Sequence, residues 1–402
     1  KKNLGIEINK INQIEKNFDD SEHLDQINYN NKNLKYILKN LMSKIISFFP
    51  NKTELFSYDL GISSLTEKKL DIIFSQLPRF YNTKFKLKYS QYSSELRKEI
   101  YFDNFEENVN LEEIINLLLK ILKKSLPISI LEDYKSLEKK TKKINFPKKP
   151  KYIFTSYAFE SNEVFKFYLA NQKKYNKNVK YLVYQHGGSY ITRIDNSYNN
   201  ECKTADTFLC WGEKIDKNLN NNVNFFNFKL SNKKYFIKNK SNKLLVILRS
   251  SGYNAVPYDR YLEGKRELEF TLDFLNKLPD YIKSDVLIRA HSGSKGKLKM
   301  YDNILNKFEI DYGDKNYFES INNSKIIFFN HDSTGLLEML GCNKPTICAW
   351  PNFSNHLNMS IEDDYKYLID GKILFQNNED LLKHLIQFWQ NPKKWWFNES
   401  TQ

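Results

Sequence analysis

Asn330-His331-Asp332-Ser333-Thr334-Gly335-Leu336-Leu337-Glu338-Met339-Leu340-Gly341-Cys342-Asn343-Lys344-Pro345-Thr346-Ile347 is the stretch on which the fold turns. The apolar run Lys325 to Phe329 before it predicts a buried strand. A tight polar turn follows, then a short helix, then a Gly-Cys-Asn-Lys-Pro turn into another apolar strand. Ser333 and Thr334 stand where an N-cap belongs, and Glu338 falls on the first turns of the helix. A helix that starts after a parallel strand presents free N–H groups and a positive dipole end, which suits phosphate. An ordinary capped connection has the same local pattern, so the rest of the chain must decide between them.

Working outward, the same strand-then-helix alternation recurs. Leu244 to Leu248 predicts a strand ending at Arg249-Ser250-Ser251-Gly252, and Asp285 to His291 a strand that delivers His291 to its tip. Helices are expected over Leu262–Leu278, Phe318–Asn323 and Asn378–Gln390, with a late strand at Ile373-Leu374-Phe375. Towards the N-terminus, Tyr152 to Ser156, Val179 to Tyr184 and Phe208 to Gly212 read as short strands. A helix over Glu160–Gln172 places Val164, Phe165, Tyr168 and Leu169 on one face. A strand at Glu54–Tyr58, a helix from Ser64 that stops before Pro78, a strand at Lys84–Tyr89 and an amphipathic helix over 108–125 precede them. Alternating strands and helices predict parallel sheets, with functional loops at the strands' carboxyl ends. The expected fold is α/β, with two doubly wound Rossmann-like domains facing a cleft. The expected division is a helical lead-in over 1–47, an acceptor-side domain over 48–238, a nucleotide-sugar domain over 239–385, and a terminal helix over 386–402 returning to the first domain. There is no Gly-x-Gly-x-x-Gly and no Walker loop, which argues against a standard dinucleotide or P-loop site.

Composition narrows the classes. The 402 residues, 41% hydrophobic and 15% aromatic, are enough to fill two cores. No run has membrane-spanning length. The four cysteines lack metal-ligand spacing, which fits a reduced, cytoplasmic protein. A formal net charge of +14 favours an anionic partner. The lysines are dispersed and no recognition module is present, so nucleic acid is not the expected partner.

Two sets of polar residues converge on the expected cleft. The second domain supplies Arg249, Ser251, His291, Ser333, Thr334, Gly335 and Glu338, whose types suit a nucleotide: hydroxyls and N–H groups for phosphate, a carboxylate for ribose. The first domain supplies Thr155, Ser156, Gln185, Gly187 and Gly188 for the acceptor or sugar, with His186 and Glu160 as candidate bases. His186 ranks first because an unperturbed imidazole titrates near neutral pH. Each has a plain alternative: Thr155-Ser156 can cap the next helix, His186 and His291 can be turn residues, and Glu338 can be solvated. No metal is expected, because His331-Asp332 lacks further ligands at a matching spacing.

The sets Phe154-Thr155-Ser156, Asn162 to Lys166 and Tyr184-Gln185-His186-Gly187-Gly188-Ser189-Tyr190 are specific together. So are Asn330 to Gly335 with Glu338, Gly341-x-x-Lys344-Pro345, and the terminal Pro392 and Trp395-Trp396. Over residues 150–400 they resemble a bacterial surface-carbohydrate transferase family associated with nonulosonic-acid genes, and more distantly capsule-type and Kdo-type GT-B glycosyltransferases. The resemblance implies a GT-B fold and a nucleotide-sugar donor held by the C-terminal domain, with a CMP-activated sialic-type or Kdo-like sugar as the donor. Relatives of the Kdo type place a His-Pro pair at the CMP; here His291 is followed by Ser292. It further implies transfer with inversion to a glycan, lipid-linked or protein acceptor, no cofactor, and work at the cytoplasmic face of the inner membrane with peripheral association. Trp395-Trp396 would anchor the last helix on the first domain. The alternatives are a UDP-sugar transferase or epimerase of the same fold, an inactive scaffold, and a nucleic-acid-binding protein.

Overall fold

The computed structural model describes residues 53–62, 64–78, 81, 90–99, 112–192, 200–212, 220–228, 230, 242–249, 263–291, 298, 301–351 and 357–402. The lead-in over 1–47, the strand at Lys84–Tyr89, Ser251 and the domain boundary expected near 239 lie outside these residues.

The N-terminal half contains β1 (Leu55–Tyr58), α1 (Ser64–Ile73), α2 (Ser94–Lys98), α3 (Glu112–Ser125), α4 (Tyr134–Lys143), β2 (Tyr152–Thr155), α5 (Ala158–Ser161), α6 (Glu163–Tyr175), β3 (Lys180–Tyr184), α7 (Ser189–Thr192), α8 (Asn200–Thr204), β4 (Thr207–Trp211) and β5 (Asn222–Phe225). Its five strands are parallel and lie side by side in chain order. All four residues of β1 are buried, because helices and loops cover both faces of the sheet. Phe56, Ile153, Val183 and Phe208 face one apolar layer with Val164 and Phe165 of α6. Leu55, Phe154 and Tyr184 face the other, with Leu70 of α1. The single helix expected over Glu160–Gln172 is broken at Asn162. Its side chain caps α6 by accepting the Phe165 N–H at 3.0 Å, so α5 ends and α6 begins at that residue.

The C-terminal half contains β6 (Lys243–Ile247), α9 (Glu263–Lys277), α10 (Asp280–Lys283), β7 (Val286–Arg289), α11 (Asp302–Leu305), β8 (Glu309–Asp311), α12 (Tyr317–Asn322), β9 (Ser324–Phe329), α13 (Thr334–Gly341), β10 (Thr346–Ala349), α14 (Glu362–Asp370), β11 (Leu374–Phe375), α15 (Asn378–Phe388) and α16 (Pro392–Trp396). All its strand pairs are parallel, in the order β11-β10-β9-β6-β7-β8. The chain therefore starts in the middle, winds outward one way, then crosses back and winds the other way. This is the Rossmann order, and its switch point lies between β6 and β9, where ligands bind beyond the strand ends. Two parallel Rossmann-like units joined in one chain make the arrangement GT-B-like.

One expectation is corrected. Trp395 and Trp396 do not anchor the terminal segment on the first sheet. They pack in the core of the second unit, where the Trp395 indole N–H donates to the Gly371 carbonyl at 3.0 Å. The Trp396 indole donates to the side-chain oxygen of Asn343 at 2.6 Å. Two large indoles gain more from the deep apolar layer between α15 and the sheet than from a partly wet surface.

Candidate active site

The opening stretch folds as expected and sits at the switch point. Ser333 is extended (φ −143°, ψ 161°), and its hydroxyl accepts the Leu336 N–H at 3.3 Å. The amides of Thr334 and Gly335 precede the first intrahelical bond and form the positive end of α13. Gly335 is required by packing: a Cβ there would lie 2.7 Å from the Phe329 ring. The helix thereby starts close against the end of β9.

Beside this turn is a cleft of about 350 Å³, lined by Ser333, Gly335, Arg289, His291, His331, Tyr317 and Gly313 among others. Arg289 forms an ion pair with Asp311, donates to the Lys315 carbonyl at 3.1 Å and lies over the Tyr317 ring. The Asn330 side-chain oxygen accepts the Arg249 N–H at 2.8 Å, so the His331 Nδ1 beside it at 2.9 Å is a donor. Burial, with a smaller contribution from Glu338, raises the Tyr317 phenol to about 12.

The N-terminal half brings the tips of β2 and β3 to the start of α13. His186 Nε2 lies 3.0 Å from Glu160 Oε1. That hydrogen bond holds the Glu160 carboxyl below the usual carboxylate range. The other ring nitrogen, Nδ1, lies 2.7 Å from the Tyr190 hydroxyl, which donates to the buried carboxylate of Glu201. The two halves meet here: the Gly188 N–H donates to the Thr334 hydroxyl at 2.9 Å. A Cβ on Gly188 would come within 2.9 Å of Leu337 and 3.3 Å of the Thr334 backbone. The second glycine of the Gly187-Gly188 pair thus allows the loop carrying His186 to touch the N-terminus of α13.

Several residues expected in contact with ligand are placed otherwise. Thr155 and Ser156 are fully buried. The Thr155 hydroxyl accepts the Ala158 N–H at 3.2 Å and the Ser156 hydroxyl donates to the Tyr184 carbonyl at 3.0 Å, so both shape the strand tip. Gln185 is also buried. Its amide bridges the Gly187 carbonyl and the Trp211 N–H, which ties the glycine loop to β4. The Arg249 guanidinium pairs with Glu267 on α9, at 3.0 Å. Glu338 is buried, and its charge adds to the rise that burial imposes on the Tyr184 and Tyr317 phenols, one from each half. Arg289, Tyr317 and Glu201 are not marked by the sequence, and Tyr190 is marked only as the last residue of the Tyr184-to-Tyr190 motif. Arg289, two residues before His291 on a strand tip, carries the other usable signal.

Glu160, His186 and Glu201 present ligand atoms within 4.8 Å of one another. Both ring nitrogens of His186 already face hydrogen-bond partners, and the Tyr190 hydroxyl stands between the ring and Glu201. The three residues therefore form one connected cluster, linked by hydrogen bonds through the imidazole and the phenol.

The family model described as LIC12162 family transferase matches residues 2–402. No curated protein matches the chain. Among solved structures, Anabaena Alr3699/HepE in complex with UDP-glucose aligns at 8% identity over 88% of this chain and 93% of that one, with a TM-score of 0.43. The wall teichoic acid polymerase TagF aligns at 11% identity over 72% and 91%, with a TM-score of 0.33. A glycotransferase of kitacinnamycin aligns at 7% over 62% and 70%, with a TM-score of 0.34. At such scores these likenesses bear on neither substrate nor mechanism.

Proposed function

Because the chain belongs to the LIC12162 transferase family, we propose that it is a GT-B-type glycosyltransferase that moves a sugar from a nucleotide donor to an acceptor hydroxyl. The observation that carries this reading is the contact between Gly188 and Thr334. It brings an imidazole–carboxylate pair on one Rossmann-like unit beside a helix N-terminus and cleft at the switch point of the other. One side is suited to removing a proton and the other to receiving phosphate.

The reaction is a direct displacement with inversion. His186 Nε2 takes the acceptor hydroxyl proton as the oxygen attacks the anomeric carbon. The bond from that carbon to the phosphate oxygen breaks, and the phosphate leaves with its electron pair. The amides at the start of α13 are placed to stabilise the departing charge. Glu160, 53% exposed in its side chain, can swing aside to admit the acceptor. We further propose a CMP-linked nonulosonic acid as donor, on the motif resemblance. A CMP donor expels a single phosphate, which one helix N-terminus can receive, whereas a UDP-sugar expels a diphosphate. The acceptor is then a surface glycan, a lipid-linked sugar or a glycoprotein. No helix among the described residues is long and apolar enough to cross a membrane.

A nucleotide-release assay tests the donor assignment. With CMP-, UDP- and GDP-sugars offered alongside a pool of glycan acceptors, CMP release is expected to exceed the others by at least about tenfold, a discrimination of roughly 1.4 kcal/mol. Preferential UDP release would keep the transferase and replace the donor.

A further inference from the structure

We propose that Glu201 is a positioning residue that acts on His186 through Tyr190, fixing the ring tautomer that a base requires and accepting the positive charge that forms on the ring. The inference rests on the reading of His186 as the base.

The geometry leaves few arrangements of protons. A phenol has one proton to give. While the Tyr190 hydroxyl donates to Glu201, it can only accept from His186, so Nδ1 must carry hydrogen. With Nδ1–H in place, the hydrogen bond that Nε2 gives the Glu160 carboxylate belongs to the doubly protonated ring; once Glu160 swings aside and Nε2 gives up that proton to solvent, the electron pair a base needs is on Nε2. When Nε2 takes the acceptor's proton, the ring becomes a cation whose Nδ1–H points to the phenol oxygen and, through it, to the Glu201 carboxylate. The charge has a second resting place. The Nδ1 proton passes to the phenol oxygen as the phenol proton passes to Glu201, which leaves a neutral ring, an intact phenol and a neutral carboxylic acid. No proton is gained or lost in that shift.

The surroundings favour such a device. Tyr190 and Glu201 are 5% and 7% exposed. Burial raises the Glu201 carboxyl above the usual range, which makes the neutral acid accessible. The ring of His186 is faced by Glu160 of α5, the Tyr157 ring with centroids 4.7 Å apart, and Tyr190 of α7. Glu201 is faced by Tyr190, feels the charges of His186 and Glu160, and acts on the Tyr181 phenol. Cys202, next to Glu201, is also within reach of the Tyr190 phenol. Among these groups Glu160 and Glu201 are the two carboxylates, one on each edge of the ring. A carboxylate kept only to tie α7 to α8 would work as well as an amide.

The test is the titration of His186 itself, followed by the NMR signal of its ring C–H and assigned by its loss in H186A. Glu201→Gln keeps the volume and the hydrogen bond but removes the charge. It also lets the amide donate to the phenol, which turns the Tyr190 proton towards Nδ1 and moves the ring proton to Nε2. The His186 midpoint is expected to fall by about one unit in E201Q, and to fall in Y190F, where the link is cut. The turnover number is expected to fall roughly a hundredfold in E201Q with little change in KM, and the acid limb of the rate profile should move with the NMR midpoint. An unchanged midpoint in both variants would overturn the proposal, whatever happens to turnover. Retained transfer in H186A would refute the base reading instead, and the two failures are read by different measurements.

Discussion

His186→Ala is expected to lower transfer by about a hundredfold to ten-thousandfold while nucleotide binding survives. His186 ends the run out of β3, and the Gln185 amide holds its loop to both Gly187 and Trp211. The ring is 16% exposed, enough to meet an acceptor, and the Glu160 carboxylate already occupies the place of a proton donor or acceptor at 3.0 Å from Nε2. Removing the imidazole leaves the acceptor hydroxyl with water as its base. The C-terminal cleft is untouched, because its lining comes from β6, β7, β9, α12, α13 and the loops beside them. Turnover and the nucleotide dissociation constant, measured on the same preparation, separate these outcomes. Turnover within about threefold of the parent would exclude His186 as the base.

Arg97→Leu is expected to be the most damaging substitution for stability among the buried ion pairs of the N-terminal half. The Arg97 guanidinium grips Glu132 with two bonds of 2.7 Å, from Nε and Nη2. Its Nη1 donates to the carbonyls of Lys123, Lys124 and Leu126, at 2.8, 3.1 and 2.9 Å, and so closes the C-terminal end of α3. The two side chains are 3% and 4% exposed. The hydrogen bond from Arg97 holds the Glu132 carboxyl below the usual range. The leucine variant takes the guanidinium from a shielded carboxylate and removes the donor that Nη1 gives to three carbonyls. Breaking a buried pair costs about 3–5 kcal/mol, and half-exposed neighbours such as Tyr92 and Leu96 put this case near 3. The double variant R97L/E132L should recover part of that loss, since no uncompensated charge remains. The sign with pH follows. A carboxyl with a lowered folded pKa stabilises above its unfolded pKa, so the parent should lose this contribution as pH falls through the folded value, while R97L should not. Urea melts at neutral and acid pH measure both effects, and a loss under about 1 kcal/mol at neutral pH would contradict the account.

Much of the architecture was readable because the parallel strands are buried on both faces. Runs such as Leu244 to Leu248 and Lys325 to Phe329 are then nearly continuous in apolar residues. β5 and β8 escaped because they are short edge strands with polar sequences, Asn-Val-Asn-Phe and Glu-Ile-Asp. Strand order could not be read, since it depends on which loops cross which sheet. In the site, hydroxyls and amides at strand tips looked free in sequence but are used by local backbone, as Thr155, Ser156 and Gln185 show. Arg249 was drawn off by Glu267, a partner 18 residues away with no periodic signature. His186 and Glu160, read from the sequence as separate candidate bases, meet because they follow β3 and β2, which are neighbours in the sheet. Tyr190 and Glu201 join His186 through contacts over four and eleven residues, spacings that carry no signal of their own.

On the proposed function, the cleft beside α13 receives the donor nucleotide, with the first turn of that helix on the phosphate. Calorimetric titration of CMP, UDP and GDP into the parent protein and into the Ser333→Ala/Thr334→Ala double variant tests it most directly. Saturable CMP binding is expected, weakened about tenfold or more in the variant, with a melting temperature lowered only slightly, since losing one cap costs about 1 kcal/mol. No binding of any of the three nucleotides to the parent, or equal binding to parent and variant, would contradict it.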